Sequence, residues 1–473
     1  MKPLIGKPIA ARIAATAGLI AALTSGPAQA QGNGNPLILL TKANGVVCSQ
    51  ISQVACWADR FTGAPSGRLP RADEWAMLGG DNAIQGAGQS HAFQILHVIW
   101  LKSFIGQAAF PSHFTQYGQM TSQLLSVDDG SYTVAGANAR GRFGWVTVGR
   151  PIQGARPNQS LRNPVLEVRG GVVEVGLMNV GQDEFSQDSR SSGEVRLTGG
   201  TLKVSGAMTG AGVAPQFVSS RLFVDGGQLE ARNIQNFTEL HVGSTAGRVG
   251  HLQRKAGETA STGLLAVGVE GGTGSLQLTG AGAQLTARQA VLGSGPGGSG
   301  EVSMADGALL SAREMVIGAR GTLKLHNGGM QADTMQVAAG GIVAIDLTGA
   351  DPSFETGHFM LNGLLHFEGR LELNFLNGFA PVQGQRIQLF GFDGFSGRLG
   401  AAQVVVTGFD AAQLDFSRLA VDGSIAAVPE PATTVLWLLG LGGLMVAAQR
   451  RRRLVPYACV HQPSPPCPTH YPG

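Results

Sequence analysis

The chain has 473 residues, of which 71 are glycine and only 14 % are charged. Glycine does not recur in G-X-Y triplets, which excludes collagen, and an apolar share of 43 % is too high for a simple disordered linker. A net charge of +3 gives no reason to expect a nucleic-acid partner. Abundant glycine and few charges predict short strands joined by tight turns, because glycine accepts positive φ without strain.

The first segment, residues 1–30, has the three parts of a secretory signal peptide. Its start is positively charged, its apolar run Ile13–Leu23 is short for a membrane span, and Ala28 and Ala30 supply the small residues that signal peptidase reads. We therefore predict export and cleavage by signal peptidase after Ala30. The alternative is a buried N-terminal helix.

The next segment, residues 31–120, is less regular and is predicted to be an N-terminal capping region. A cap is expected because the open end of a stack of strands exposes unpaired strand edges. The apolar stretch Leu96–Ile105 reads as a buried strand or helix. Cys48 and Cys56 lie in the exported part, where oxidising conditions favour a disulfide between them. The alternative is two unpaired, small apolar side chains.

Residues 121–350 are predicted to be β-solenoid repeats. From Leu265 the chain repeats at intervals of about 20 to 25 residues, and apolar residues alternate within each copy as they do in strands. Stacking would bury the recurring side chains as ladders. A β-sandwich of hairpins is the competing fold. The recurring positions form four sets: Val267, Leu292, Ile317 and Val337; Leu276, Val302 and Leu323; Leu278, Met304 and Leu325; Leu285, Leu310 and Met330.

The composition changes again over residues 351–428, which are richer in phenylalanine and leucine, as in "HFMLNGLLHFEGRLELNFLNGFAP". We predict a C-terminal β capping module that closes the core with bulkier side chains. The predicted fold class is thus all-β: a parallel β-helix or β-solenoid with capping segments, followed by a single C-terminal transmembrane helix.

The transmembrane helix is predicted within the anchor segment, residues 429–453. Ala432–Ala448 carries no charge, and as a helix it would be about 25 Å long, near the lower limit for a bilayer. Pro431 marks the start, since proline is not tolerated inside a helix. The arginines that follow would stay on the cytoplasmic side. They are Arg450, Arg451, Arg452 and Arg453.

The order of tripeptide, apolar helix and arginine cluster resembles the PEP-CTERM sorting domain of Gram-negative exported proteins. The tripeptide is Pro429, Glu430 and Pro431. The resemblance implies that an exosortase, a membrane cysteine protease, recognises the tripeptide and removes the anchor. The body would then be released toward the cell surface or the exopolysaccharide matrix. A plain stop-transfer anchor is the alternative.

The body is similar, more loosely, to autotransporter-like β-helix proteins. "LPRADEWAML" (Leu69–Leu78) resembles the segment that opens their repeats, and Leu371–Gly397 resembles the segment that closes them. One departure from the sorting family is the proline-rich tail, residues 454–473, which follows the arginines. It is predicted to form neither a helix nor a central strand.

Catalytic and metal-binding patterns are weak in this sequence. The candidate acids for a polysaccharide-active β-helix enzyme are Asp128 and Asp129, and Asp183, Glu184 and Asp188, but each group sits beside glycine or serine, as in a solvated turn. His91, His97 and His113 lack metal-ligand spacing. We predict no enzyme activity, cofactor or metal. The expected function is that of an exported surface or matrix protein, with exosortase, signal peptidase, the inner membrane and exopolysaccharide as partners; the enzyme is the alternative.

Overall fold

The computed structural model describes most of the chain between Leu37 and Val428, together with Met445. The ranges outside the described residues are 1–36, 41, 44–45, 48–49, 60–63, 80–82, 99–112, 129, 150–163, 182–191, 213–218, 350–358, 429–444 and 446–473. Several predicted features therefore lie outside the described residues: the signal peptide with Ala28 and Ala30, Cys48, the tripeptide Pro429, Glu430 and Pro431, the arginines Arg450, Arg451, Arg452 and Arg453, and the tail.

Almost every element is a strand. In the N-terminal half the strands are β1 Leu37–Leu40, β2 Lys42–Ala43, β3 Val46–Val47, β4 Trp57–Asp59, β5 Trp75–Gly79, β6 Ala83–Gln85, β7 Ser90–Val98, β8 His113–Gln116, β9 Gln119–Val127, β10 Ser131–Val134, β11 Arg140–Val148, β12 Val165–Val168, β13 Val172–Val180, β14 Gly193–Gly210 and β15 Ser220–Val242. A short 3-10 helix covers Val54–Cys56.

The C-terminal half continues in the same way. Its strands are β16 Val249–Arg254, β17 Thr259–Val267, β18 Thr273–Thr279, β19 Gln284–Leu292, β20 Ser299–Ala305, β21 Leu309–Ile317, β22 Gly321–His326, β23 Gly329–Val337, β24 Ile342–Leu347, β25 Phe359–Leu361, β26 Leu364–Phe367, β27 Arg370–Phe375, β28 Arg386–Gln388, β29 Phe390–Gly391, β30 Gly394–Gly397, β31 Val404–Thr407, β32 Leu414–Asp415 and β33 Ser424–Ala427. Helical turns cover Ala401–Gln403, Ala411–Gln413 and Leu419–Asp422.

The strands pair in parallel with the strand of the next repeat, and the predicted ladders are confirmed. Val267 pairs with Leu292, Leu292 with Ile317, and Ile317 with Val337. The set that begins with Leu285 is paired in the same strands, β19, β21 and β23. The sets that begin with Leu276 and Leu278 are paired in β18, β20 and β22. All these side chains are at most 1 % exposed. Hairpins would pair antiparallel, so the β-sandwich alternative is wrong for this region.

Each long strand of the repeat bends at one corner. In β19, Leu285 and Ala287 face inward, and after the corner the inward residues are Ala290 and Leu292. In the pairing with β21, Ala287 pairs with Ala312 and Gln289 pairs with Glu314, so Arg288 lies at the corner between two paired positions. Together with β18, β19 thus supplies three inward-facing segments for one repeat. The result is a mostly β protein with long parallel sheets, an arrangement compatible with a β-solenoid.

The parallel pairing extends beyond both predicted boundaries of the repeat region. It begins before residue 121, since Trp75 of β5 already pairs with Ile95 of β7. It continues after residue 350, where Leu373 of β27 pairs with Val406 of β31. Some residues of the two predicted capping segments therefore also form stacked parallel strands. Bulky or irregular sequences can pair in parallel in the same way as the regular repeats.

Paired glycines form one corner in the repeats between β12 and β15. Gly200 and Gly227 stack on each other with φ of +63° and +66°. A Cβ atom on Gly227 would lie 2.5 Å from the carbonyl oxygen of Gly200. Both the left-handed backbone and the close approach of successive corners therefore require glycine.

The C-terminal end of the stack is covered by a small antiparallel sheet. β33 pairs with β28 and with β32, and Ile387 and Ile425 are buried where β28 and β33 meet. The last described backbone contact is a 2.8 Å hydrogen bond from the Val428 N–H to the Gln413 carbonyl. This small sheet, which we call the C-terminal cap, is the last described element before the sorting segment. In the described part of the chain no helix has the length and apolarity needed to cross a bilayer; the predicted span lies, except for Met445, outside that part.

Acid is expected to weaken this cap. Burial opposes ionisation of Asp422, but hydrogen bonds from Ser424 and Arg418 and the charge of Arg386 lower the pKa of Asp422 from 3.8 to about 2. A lowered pKa stabilises the fold fully above 3.8, and this contribution is lost as the pH falls toward 2. We expect Asp422→Asn to lower the thermal midpoint near pH 6, and the difference from wild type to shrink below pH 4. A difference that stays constant down to pH 2 would contradict this assignment.

Candidate functional site

An exposed row of side chains crosses successive parallel strands on one face of the N-terminal half. The strands β7, β9, β11, β13, β14 and β15 each contribute one outward position to it, and every neighbouring pair is in register. We call this the axial row because it runs along the stack rather than along any strand. Its members are Ala92, Thr121, Arg142, Glu174, Lys203 and Glu230.

Charges alternate along the axial row and are paired. Arg142 contacts Glu174 at 2.9 Å, and Lys203 contacts Glu230 at 3.1 Å. The four side chains are 42–62 % exposed, so each exposed pair adds at most about 1 kcal/mol to stability. Their arrangement is therefore more informative about surface chemistry than about folding.

The axial row forms the floor of an open groove of about 1500 Å³. Residues of β16 and the turn after it line the groove as well, among them His251, Gln253, Lys255 and Glu258. The groove is thus lined by polar and apolar side chains together, with Phe93, Phe143 and Leu229 among the apolar ones, and cations alternate with carboxylates on its floor.

One end of the groove forms where a sheet face stops. The segment Gln228–Ala231 of β15 pairs with Thr201–Val204 below it. On the other side, the strand that pairs with β15 is β17, and this pairing begins only at Asn233, after the segment Gln228–Ala231. Among the described strands, Gln228–Ala231 is therefore paired on one side only. An uncovered edge leaves backbone groups without ladder partners.

Arg254 covers this edge. Its guanidinium donates to the carbonyl oxygens of Ala231 and Arg232, and to that of Thr259 at 2.9 Å. Arg254 is 1 % exposed and lies 3.7 Å from Glu258. Burial lowers the pKa of Arg254, although the charge of Glu258 opposes this effect.

Arg254 also explains a mismatch in the sequence repeat. It pairs in register with Leu278, and Leu278 pairs with Met304, so a charged residue occupies an apolar ladder position. Arg254 was not among the functional residues predicted from the sequence. The signal was available in the alignment of "HLQR" with "SLQL", which places an arginine where the following copies carry leucine and methionine.

Of the five acids predicted as catalytic candidates, the structure describes only Asp128. Asp128 is half-buried and accepts a 2.5 Å hydrogen bond from the Ser126 hydroxyl. Asp129, Asp183, Glu184 and Asp188 lie outside the described residues.

The histidines occupy separate polar contacts. His91 Nδ1 lies 2.9 Å from Gln85 Nε2, and burial lowers the pKa of His91. His113 Nδ1 lies 2.9 Å from the Ser131 hydroxyl, while the side chain of His97 is outside the described set. Within the described ranges, no group of three or more His, Cys, Asp or Glu side chains could hold a metal ion.

Cys56 is fully buried and disulfide-bonded. The cysteine predicted as its partner, Cys48, is not among the described residues. The pairing of Cys48 with Cys56 therefore stays a prediction.

The sorting segment provides the match to a known family model. The model described as the PEP-CTERM protein-sorting motif matches residues 427–453, which include the tripeptide and the arginine cluster. No curated protein and no solved structure matches the chain. The chain thus carries a PEP-CTERM sorting motif, and this motif indicates an exported, transiently membrane-anchored protein that is processed by an exosortase.

Proposed function

We propose that the chain is a non-enzymatic β-solenoid protein that an exosortase delivers to the cell surface or extracellular matrix, where it associates with exopolysaccharide. The sorting motif at residues 427–453 is the observation that carries the export part of this proposal. The parallel ladders support the β-solenoid part of the proposal. Stacked repeats grow along one axis and offer a long surface for repeated contacts.

The charges in the groove support a binding role rather than catalysis. General acid–base cleavage of a glycan needs one carboxyl group with a raised pKa beside an ionised one. The three acids that line the groove, Glu174, Glu230 and Glu258, instead lie beside the cations Arg142, Lys203 and Arg254. We therefore propose that glycans are held and not cleaved.

Mass spectrometry and activity assays of the protein released into the medium test this function. We expect a mature chain that has lost both the signal peptide and the anchor segment, and that leaves neutral and acidic polysaccharides intact after prolonged incubation. Depolymerisation that is abolished by Asp128→Ala or Asp183→Ala would favour the lyase or glycoside hydrolase alternative. Recovery of the protein away from the polysaccharide fraction would contradict the matrix association.

A further inference from the structure

We propose that the groove over the axial row binds a linear, hydroxyl-rich glycan of low charge, with the glycan chain lying along the stack of strands. This inference deepens the proposed function, on which it rests, by assigning a site and a ligand class. It starts from the floor: Thr121, Arg142, Glu174, Lys203 and Glu230 stand in register on neighbouring strands. Their spacing is set by the backbone and not by side-chain choice.

The spacing of the row fits a sugar chain. Parallel strands lie about 4.8 Å apart, so five steps from Ala92 to Glu230 extend for about 24 Å. An extended glycan gains about the same length with each sugar ring. Successive sugars could therefore each lie over one member of the row, which is polar from Thr121 to Glu230.

The same spacing argues against an extended peptide. A strand advances about 3.3 Å per residue and turns alternate side chains to opposite sides, which does not match a 4.8 Å step. A peptide could also add to the free edge of Gln228–Ala231, but the guanidinium of Arg254 already occupies the carbonyls of Ala231 and Arg232. An added strand would have to displace these hydrogen bonds at one end of the edge.

The charges on the groove floor favour a ligand of low charge, while Arg232 and Lys255 add positive charge at one end of the groove. The cations Arg142 and Lys203 each have a glutamate partner within 3.1 Å, so the floor is close to neutral. A polyanion would have to displace these partners. A hydroxyl group both donates and accepts, so it can bridge a cation and the carboxylate beside it without separating them.

The test removes one of two ion pairs at a time from the mature protein that is released into the medium. Lys203→Ala/Glu230→Ala removes a pair from the groove floor, and Lys324→Ala/Glu301→Ala removes a pair of similar length, 2.9 Å, and similar exposure from the later repeats. Neither double variant changes the net charge. The measurement is retardation in native gels that contain a neutral linear glucan, a galactomannan or alginate, with thermal unfolding as the check on folding.

We expect the groove variant to bind neutral glycans at least about tenfold more weakly, because hydrogen bonds to charged groups are lost. The control variant should bind like wild type. Inhibition by glucan oligomers should increase with length and level off at about five to six sugars, the length of the row. Equal binding by both variants would overturn the groove assignment while leaving glycan association intact. Salt-sensitive binding to alginate alone would overturn the low-charge ligand, and no binding to any glycan would overturn both this proposal and the matrix association.

Discussion

Arg254→Met is expected to lower the free energy of unfolding by about 2–4 kcal/mol. Methionine fits the apolar ladder that continues through Leu278 and Met304, so packing alone predicts a neutral or stabilising change. The opposite is expected because methionine cannot donate to the buried carbonyl of Ala231 or to the partly buried carbonyls of Arg232 and Thr259, which the guanidinium now satisfies. Buried acceptors without donors are costly.

Denaturant unfolding combined with amide hydrogen exchange would measure this effect. Because repeat proteins can unfold in parts, the exchange should rise most in Gln228–Ala231 and in the start of β17. Arg288→Met, at an exposed corner of a later repeat, is the matched control and should change stability by at most about 0.5 kcal/mol. If Arg254→Met were as stable as wild type, the assignment of Arg254 as an edge cap would be wrong.

Glu430→Ala is expected to leave the exported chain uncleaved and held in the inner membrane. The matched motif, residues 427–453, contains the Pro429–Pro431 tripeptide, which we predict to be the site that the exosortase recognises. The body should still fold, because the last hydrogen bond of the cap, from Val428 to Gln413, precedes the tripeptide. The variant should therefore accumulate as a folded species that has lost the signal peptide and keeps the anchor segment.

Immunoblots of membrane and medium fractions, with intact mass, would follow this processing. Glu301→Ala, an equivalent substitution on an exposed strand position, should be released as efficiently as wild type. Normal release of Glu430→Ala would show that residues 429–453 act only as an anchor, and the exosortase step would then have to be abandoned for this protein.

Features that depend on short-range pattern were accessible from the sequence. The alternation in "SLQL" and "TLKL" identified strands, and the recurrence of Leu285, Leu310 and Met330 identified their stacking. These ladders are predictable because a side chain's inward or outward direction has a period of two, and equivalent positions in successive repeats meet the same neighbours. The sorting motif was accessible for a related reason, since its three parts are contiguous in the chain.

The boundaries of the stack were less accessible. The irregular segment before residue 121 and the phenylalanine-rich segment after residue 350 were predicted as caps, yet Trp75 and Leu373 lie in the parallel sheets. Composition changes there because bulkier residues fill the core toward its ends. The parallel pairing of the backbone continues through both segments. The change in composition therefore indicated different core packing and not the end of the repeats.

The sequence by itself determined the strand repeat, the four buried ladders and the sorting segment, because each depends on the identity and spacing of nearby residues. Only the tertiary structure decided that one sheet face stops at Gln228–Ala231, that Arg254 covers its edge, and that Arg142, Glu174, Lys203 and Glu230 line one groove. The physical reason is that these features depend on which strand lies above which. That register is set by hydrogen bonds between segments 20 to 33 residues apart in the chain. A slip of one residue in this register would turn every side chain of a strand to the opposite face.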